Sequence, residues 1–322
     1  MPELAISIAT YSGIPMPAFT QLARKAEDAG FSGVFVTEAN NDVMLCCYAA
    51  AVATSRIRVG SWIANIYFRE PHLAAAAAQM IQEASGGRFI LGLGVSHRPA
   101  LSSLGIEMGN ARERLRRYTE TIRNGLSGKP VSALGMRIRV ASHPVPIYFG
   151  ALVKETAKLG GEIADGLMLY LAAPARMREE IELARGEARR CGRDPDDLRI
   201  TMGLPLYLDD DRSRALEAAR RGLFFFAGLP FYNRILARGG FAAEAKAIAD
   251  ALARRDFAAA AAAMSDRLID SIAMVGPAAR CLERLAEYRD AGAELPIIVP
   301  NPVDSDYAAA VRIAMNTFAR AI

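Results

Sequence analysis

A chain of 322 residues, 52% hydrophobic and 23% charged, is long and apolar enough for one large domain or two ordinary ones. That profile excludes a disordered or fibrous polypeptide. A net charge of +4, from 39 basic and 35 acidic residues, argues against a dedicated nucleic-acid partner.

The cysteines, Cys46, Cys47, Cys191 and Cys281, form no CxxC pair and read as free thiols in a reducing cytoplasm. His72, His97 and His143 are scattered without ligand spacing, so no metal site is expected. The start, Met1-Pro2-Glu3-Leu4, has no basic leader, and the longest apolar stretch, Phe257 to Met264, is far too short to span a membrane. The expectation is a cytoplasmic protein with no membrane partner.

Strand-like runs recur in chain order at Leu4–Thr10, Val34–Glu38, Ile57–Ala64, Phe89–Val95, Val145–Gly150, Gly166–Leu171, Leu198–Leu208 and Leu295–Val299. Several are apolar throughout, which is the pattern of parallel strands covered on both faces. Helical spacing lies between them, at Phe19–Ala29, Leu73–Ala84, Asn110–Leu126, Glu155–Ala164 and Ala175–Cys191. Strand then helix, repeated, predicts an α/β fold of the (β/α)₈ TIM-barrel type, with a doubly wound open sheet as the alternative. The whole chain, 1–322, reads as one such domain. Between the seventh and eighth strands lies an insertion, 209–291. Its helical signals are Arg212–Arg221, Glu244–Arg254 and Ala278–Ala291, and Phe224 to Tyr232 reads as a turn-rich aromatic stretch. An insertion after a strand is expected at the C-terminal mouth of a barrel, as a lid over substrate or as extra packing.

Barrel active sites are built just past the strands. The residues there are Thr10 and Tyr11, Thr37 and Glu38, Ala64 and Asn65, Ser96 and His97, Gly150 and Ala151, Tyr170, Tyr207, and Pro300 and Asn301. This polar, metal-poor set suits an organic cofactor. Gly92-Leu93-Gly94-Val95-Ser96-His97 follows a strand, but a dinucleotide fingerprint requires a third glycine where His97 stands, opening a helix directly. Gly94 instead fits close approach of backbone to a bound ring or relief of crowding in the barrel. His97 is a candidate proton carrier or a hydrogen-bonded loop residue. Glu38 could hold a ring or substrate, or be a helix-capping or ion-paired acid facing solvent. His72 reads as structural and His143 as a surface loop residue. Gly150-Ala151-Leu152-Val153-Lys154 opens a helix whose free N–H groups favour phosphate.

Several stretches together resemble one family. They are Ser85-Gly86-Gly87-Arg88-Phe89-Ile90-Leu91-Gly92-Leu93-Gly94, Ala53-Thr54-Ser55-Arg56-Ile57-Arg58-Val59-Gly60, Arg69-Glu70-Pro71, Pro146-Ile147-Tyr148-Phe149-Gly150 and Ala164-Asp165-Gly166. In this order and spacing they are similar to the luciferase-like monooxygenase superfamily, especially its coenzyme F420-dependent oxidoreductases. The resemblance implies a barrel that binds F420 or FMN at its mouth, hydride transfer to or from the ring, and a homodimer. It matches Glu38 to the acid that ends strand two, with Ala39 where a histidine often follows. His97 stands where the deazaflavin branch often has a catalytic glutamate. The resemblance also implies a non-proline cis peptide, best matched by Trp62-Ile63, in a bulge backing the ring, and phosphate on the backbone of Leu152 and Val153.

The expected activity is hydride transfer between F420 and a small organic substrate. Glu38 and His97 are the catalytic candidates. Thr37, Trp62, Ile63, Asn65, Gly94, Ser96, Gly150, Ala151, Leu152, Val153 and Tyr170 are the cofactor-binding candidates. The alternatives are an FMN-dependent monooxygenase that activates O₂ and a barrel that has lost cofactor chemistry.

Overall fold

The computed structural model describes residues 3–9, 13–130, 135–304 and 306–319. Thr10 and Tyr11, expected at the end of the first strand, lie outside the described residues. The fold is a (β/α)₈ TIM barrel, and the chain divides into two compact units.

One unit comprises residues 4–168 and 183–199. Its elements begin with β1 (Ala5–Ser7), α1 (Met16–Asp28), β2 (Gly33–Val36), α2 (Val43–Ala53), β3 (Arg58–Ser61), β4 (Ala64–Asn65) and α3 (Pro71–Ala84). They continue with β5 (Phe89–Gly94), α4 (Arg98–Ser103), α5 (Ala111–Leu126), β6 (Ile147–Gly150) and α6 (Lys154–Ile163). Next come β7 (Gly166–Tyr170) and α7 (Pro174–Arg190), each partly in this unit. The strands pair in parallel, β1 on β2, β2 on β3, β3 and β4 on β5, β5 on β6 and β6 on β7. Their side chains are buried almost throughout, as covered parallel strands require.

The expected third strand, Ile57–Ala64, is two strands with a bulge between them. Gly60 faces Ile90, yet Ala64 faces Leu93, so one side advances one residue more than the other. Ser61 Oγ fills the gap in the ladder: it donates to the Gly92 carbonyl and accepts from the Gly92 N–H, both at 2.9 Å.

The Ser85–Arg88 motif is a structural staple. Gly86 and Gly87, at φ 65° and 92°, turn the chain out of α3. A Cβ on Gly87 would lie 2.8 Å from the ring of His143. Arg88 then donates to the carbonyls of Ser85, Thr54, Ile57 and Ala51 and to Thr54 Oγ1, tying strand β5 to the end of α2. Glu27 fastens the neighbouring motif by accepting from the N–H groups of Ser55, Arg56 and Ile57. Burial opposes ionisation of Glu27, but those donors hold its pKa below the ordinary value.

The other unit holds residues 169–182 and 200–322, with the start of the chain. Its elements are β8 (Arg199–Leu208), α8 (Arg212–Gly228), α9 (Pro230–Leu236), α10 (Ala242–Ala253), α11 (Phe257–Ala262) and α12 (Asp266–Ile272). β9 (Met274–Gly276), α13 (Ala278–Asp290), β10 (Leu295–Pro300) and α14 (Tyr307–Phe318) complete it. β8 pairs in parallel with β10 and, at its C-terminal end, with β9.

The 209–291 insertion is mainly helical, with two departures from expectation. It carries the strand β9. The aromatic stretch is not turn-rich: α8 runs to Gly228 and α9 starts at Pro230, with Leu229 alone as the joint. Proline is tolerated in the first helical turn, where its missing N–H has no partner to lose. Gly228 admits α10 closely, since a Cβ there would lie 1.9 Å from Leu252 Cδ1.

Candidate active site

The first unit gathers most of the expected site residues at the C-terminal ends of β2, β4, β5 and β6. After β2, Asn41 braces the turn by accepting from the Ala39 N–H at 2.8 Å and donating to the Thr37 carbonyl at 3.1 Å. Glu38 does not face solvent. Its side chain is only 2% exposed and pairs with Arg69. Oε1 accepts from Arg69 Nη2 at 2.6 Å and Oε2 from Arg69 Nη1 at 3.2 Å, a two-pronged pair. Oε2 also accepts from the Asn65 N–H at 2.7 Å, and Oε1 from the Val43 N–H at 3.4 Å. Arg69 reaches Asp42 Oδ1 at 3.1 Å as well. Burial pulls the Arg69 pKa down, and bonding to Glu38 and Asp42 more than offsets it, so the pKa stands above the ordinary value.

The peptide between Trp62 and Ile63 is cis, as the resemblance implied. The bulge is tied at both ends, by the Trp62 N–H to the Val36 carbonyl at 2.7 Å and the Ile66 N–H to the Gly94 carbonyl at 3.1 Å. Ile63 takes the space that side chains on the neighbouring strands would fill. A Cβ on Gly94 would sit 2.5 Å from Ile63 Cδ1 and Cγ1, and one on Gly150 would touch Ile63 Cγ2 at 3.4 Å. Gly94 therefore lacks a side chain because Ile63 needs its place. Asn65 is 4% exposed, and its Oδ1 accepts from the Tyr67 N–H at 3.0 Å.

Beyond β5, Ser96 adopts φ 58°, the left-handed region that favours glycine. This turn delivers His97 to the cap position of α4. α4 begins at Arg98, directly after His97, with Pro99 in its first turn. His97 is half-buried. Burial alone lowers its pKa from the usual histidine value, so the neutral imidazole is the form present at neutral pH.

At β6, the Ala151 N–H is spent on the Met168 carbonyl at 3.0 Å. The Val153 N–H turns to Thr156 Oγ1 at 3.4 Å, closing the first turn of α6. Leu152, Lys154 and Glu155 carry the remaining N–H groups at this helix start. Tyr170 belongs to the other unit. There its ring meets Phe226 and Tyr232 edge-to-face, with centroids 6.3 and 6.2 Å away. Arg69, missed as a site residue, was visible only as part of Arg69-Glu70-Pro71. Nothing local signals its pairing with an acid 31 positions earlier.

A deazaflavin or flavin fits these residues. The bulge presents Ile63 against glycine backbone, His97 supplies a titratable group, and a helix start stands at the end of β6. This donor set suits a planar ring that carries a phosphate.

A family model described as luciferase-like monooxygenase matches residues 5–295. The chain is 28% identical to a 5,10-methylenetetrahydromethanopterin reductase of Methanolobus tindarius, over 93% of this chain and 94% of that protein. It is 26% identical to a putative coenzyme F420-dependent oxidoreductase of Mycobacterium tuberculosis, over 92% and 94%. Among solved structures, the coenzyme F420 dependent tetrahydromethanopterin reductase from Methanopyrus kandleri superposes with a TM-score of 0.82 at 24% identity, covering 98% of each chain. An F420-dependent secondary alcohol dehydrogenase superposes with a TM-score of 0.77 at 18% identity, covering 100% of this chain and 98% of that one.

Proposed function

The chain belongs to the luciferase-like monooxygenase family, and from that premise we propose that it is an F420-dependent oxidoreductase acting on a small organic molecule. The carrying observation is the Trp62–Asn65 bulge, with Ile63 seated against Gly94 and Gly150, and with His97 capping α4 just past β5. The relatives named for F420 support the choice of cofactor.

When bound, the deazaflavin supplies a ring carbon that accepts or donates hydride. The chain's residues do the rest. Ile63, seated against Gly94 and Gly150, would back the ring. Thr37, Trp62, Asn65 and Ser96 would complete its surroundings. The start of α6 beside Gly150, with the N–H groups of Leu152, Lys154 and Glu155, would hold a phosphate. Ala151 and Val153 shape this turn, their own N–H groups being engaged within the protein. Neutral His97 takes a proton from the substrate in the oxidising direction and returns it in the reducing one. Glu38, closed in by Arg69 and backbone donors, positions the bulge.

Titration with F420 and with FMN tests this reading. Saturable binding of F420 with weak or no binding of FMN is expected. Tight FMN binding without F420 binding would replace it with the O₂-activating alternative. Binding of neither would leave a barrel without cofactor chemistry.

A homodimer through α2 and α3 belongs to the same proposal. α2 is apolar on every side, yet Leu45, Tyr48 and Val52 are exposed along one stripe, and Leu73 and Met80 are exposed on α3. An exposed apolar patch of this kind marks an association surface. Leu45→Asp with Met80→Asp is expected to convert a dimer to a monomer in sedimentation equilibrium. A wild-type monomer, or a double variant that remains dimeric, contradicts this interface. Among the described residues no helix is long and apolar enough to cross a membrane. A reducing cytoplasm suits Cys46, Cys47, Cys191 and Cys281, which form no disulfide among the described residues.

A further inference from the structure

Glu38 ends β2, yet its carboxylate accepts from the backbone of a segment 27 residues later, at Asn65. Asn65 directly follows Trp62, Ile63 and Ala64. An ionised carboxylate with its side chain 2% exposed needs a cation beside it, and Arg69 is that cation. Arg69 makes a forked pair with Glu38 and also reaches Asp42, the residue that caps α2 through the Met44 and Leu45 N–H groups. Its own backbone is held in turn, because Tyr118 on α5 donates to the Arg69 carbonyl at 3.1 Å.

We propose that Arg69 is a positioning residue: by bracing the Glu38 carboxylate, it sets the Trp62–Asn65 bulge on which the cofactor ring rests. The part about the ring rests on the F420 reading above; the bracing of the bulge does not. Arg69 acts through Glu38 and does not touch the reacting atoms. Lysine cannot replace it fully, since an ammonium lacks the planar fork that meets both carboxylate oxygens at once. Without the guanidinium, a buried carboxylate is left uncompensated. A groove of about 630 Å³ opens along Arg69, Tyr67 and Tyr118, so water can reach a Glu38 left in that state. The consequence is a loosened bulge within a folded protein.

The chain's one tryptophan, Trp62, lies in the bulge and is 8% exposed. Its fluorescence therefore reports on this segment without any cofactor. The test compares emission and acrylamide quenching of Trp62 in wild type, Arg69→Met, Arg69→Lys and Glu38→Gln/Arg69→Met, with circular dichroism confirming the fold. Arg69→Met is expected to shift emission to the red and raise quenching, and Arg69→Lys to do so to a smaller degree. The double variant, which removes the uncompensated charge, is expected to return towards wild type. With F420, Arg69→Met is expected to lose about 10²-fold in kcat/KM, the cost of ångström-scale misplacement. Wild-type emission and quenching in folded Arg69→Met would overturn the proposal. So would a double variant no nearer wild type than the single one. If Arg69→Met does not fold, Arg69→Lys is read in its place, and an unchanged Trp62 signal there overturns the proposal equally. If wild-type protein fails to bind F420, the functional reading falls, and the fluorescence comparison still decides whether Arg69 sets the bulge.

Discussion

His97→Ala is expected to lower kcat by about 10²- to 10⁴-fold, the usual contribution of a positioned acid–base group. The pH profile should change with it. Burial lowers the His97 pKa, so the imidazole is neutral at and above the usual histidine range and becomes protonated only at lower pH. In the direction that oxidises substrate, the base must be neutral. The wild-type rate should therefore fall as pH drops through a midpoint below the usual histidine pKa, and His97→Ala should lack that acidic limb. Protonation of a buried imidazole also disfavours the fold. Stability linked to His97 is thus fully present above its unfolded pKa and lost as pH falls through the lower folded one. Full turnover of His97→Ala across the pH range, with the fold verified, would remove the proton-transfer role.

Arg88→Met is expected to destabilise the protein by about 3–5 kcal/mol, because hydrogen bonds from a charged donor are among the costlier ones to delete and five are lost together. Its acceptors are the carbonyls of Ser85, Ala51, Thr54 and Ile57 together with Thr54 Oγ1, and methionine reaches none of them with a donor. Chemical denaturation would show the loss as a lower midpoint with an unchanged slope. A change within about 0.5 kcal/mol, the range of ordinary surface substitutions, would show that the staple contributes little. Arg88 stands at the N-terminal ends of the strands, so the cofactor affinity of the folded variant should match wild type.

These two residues show how the sequence carries site and scaffold differently. His97 was legible because it follows an apolar strand in a chain with only three histidines. Arg88 was legible only as part of a recurring motif; what it holds is revealed by partners on α2 and the segment after it, more than 30 positions earlier. The same distinction separates Glu38 from Arg69. An acid ending a strand stands out, whereas the arginine that encloses it depends on how two loops meet.

The barrel strands were readable because each is a short apolar run between turn residues. The bulge was not readable as two strands, since β4 has only two residues, and β9, with three, leaves no pattern to detect. α2 escaped for the opposite reason: Val43-Met44-Leu45-Cys46-Cys47-Tyr48 is apolar at every position and shows no helical period. Pro230 gave the aromatic stretch its turn-like look, although it sits in the first turn of a helix, as Pro99 does.

The most direct measurement of the central claim is a crystal structure of the protein soaked with F420. The ring is predicted to lie against Ile63, its phosphate at the start of α6, with a His97 ring nitrogen within about 3.2 Å of the proton to be moved or one water away. A ring bound elsewhere, or one lying at the strand ends but out of reach of His97, would contradict the account.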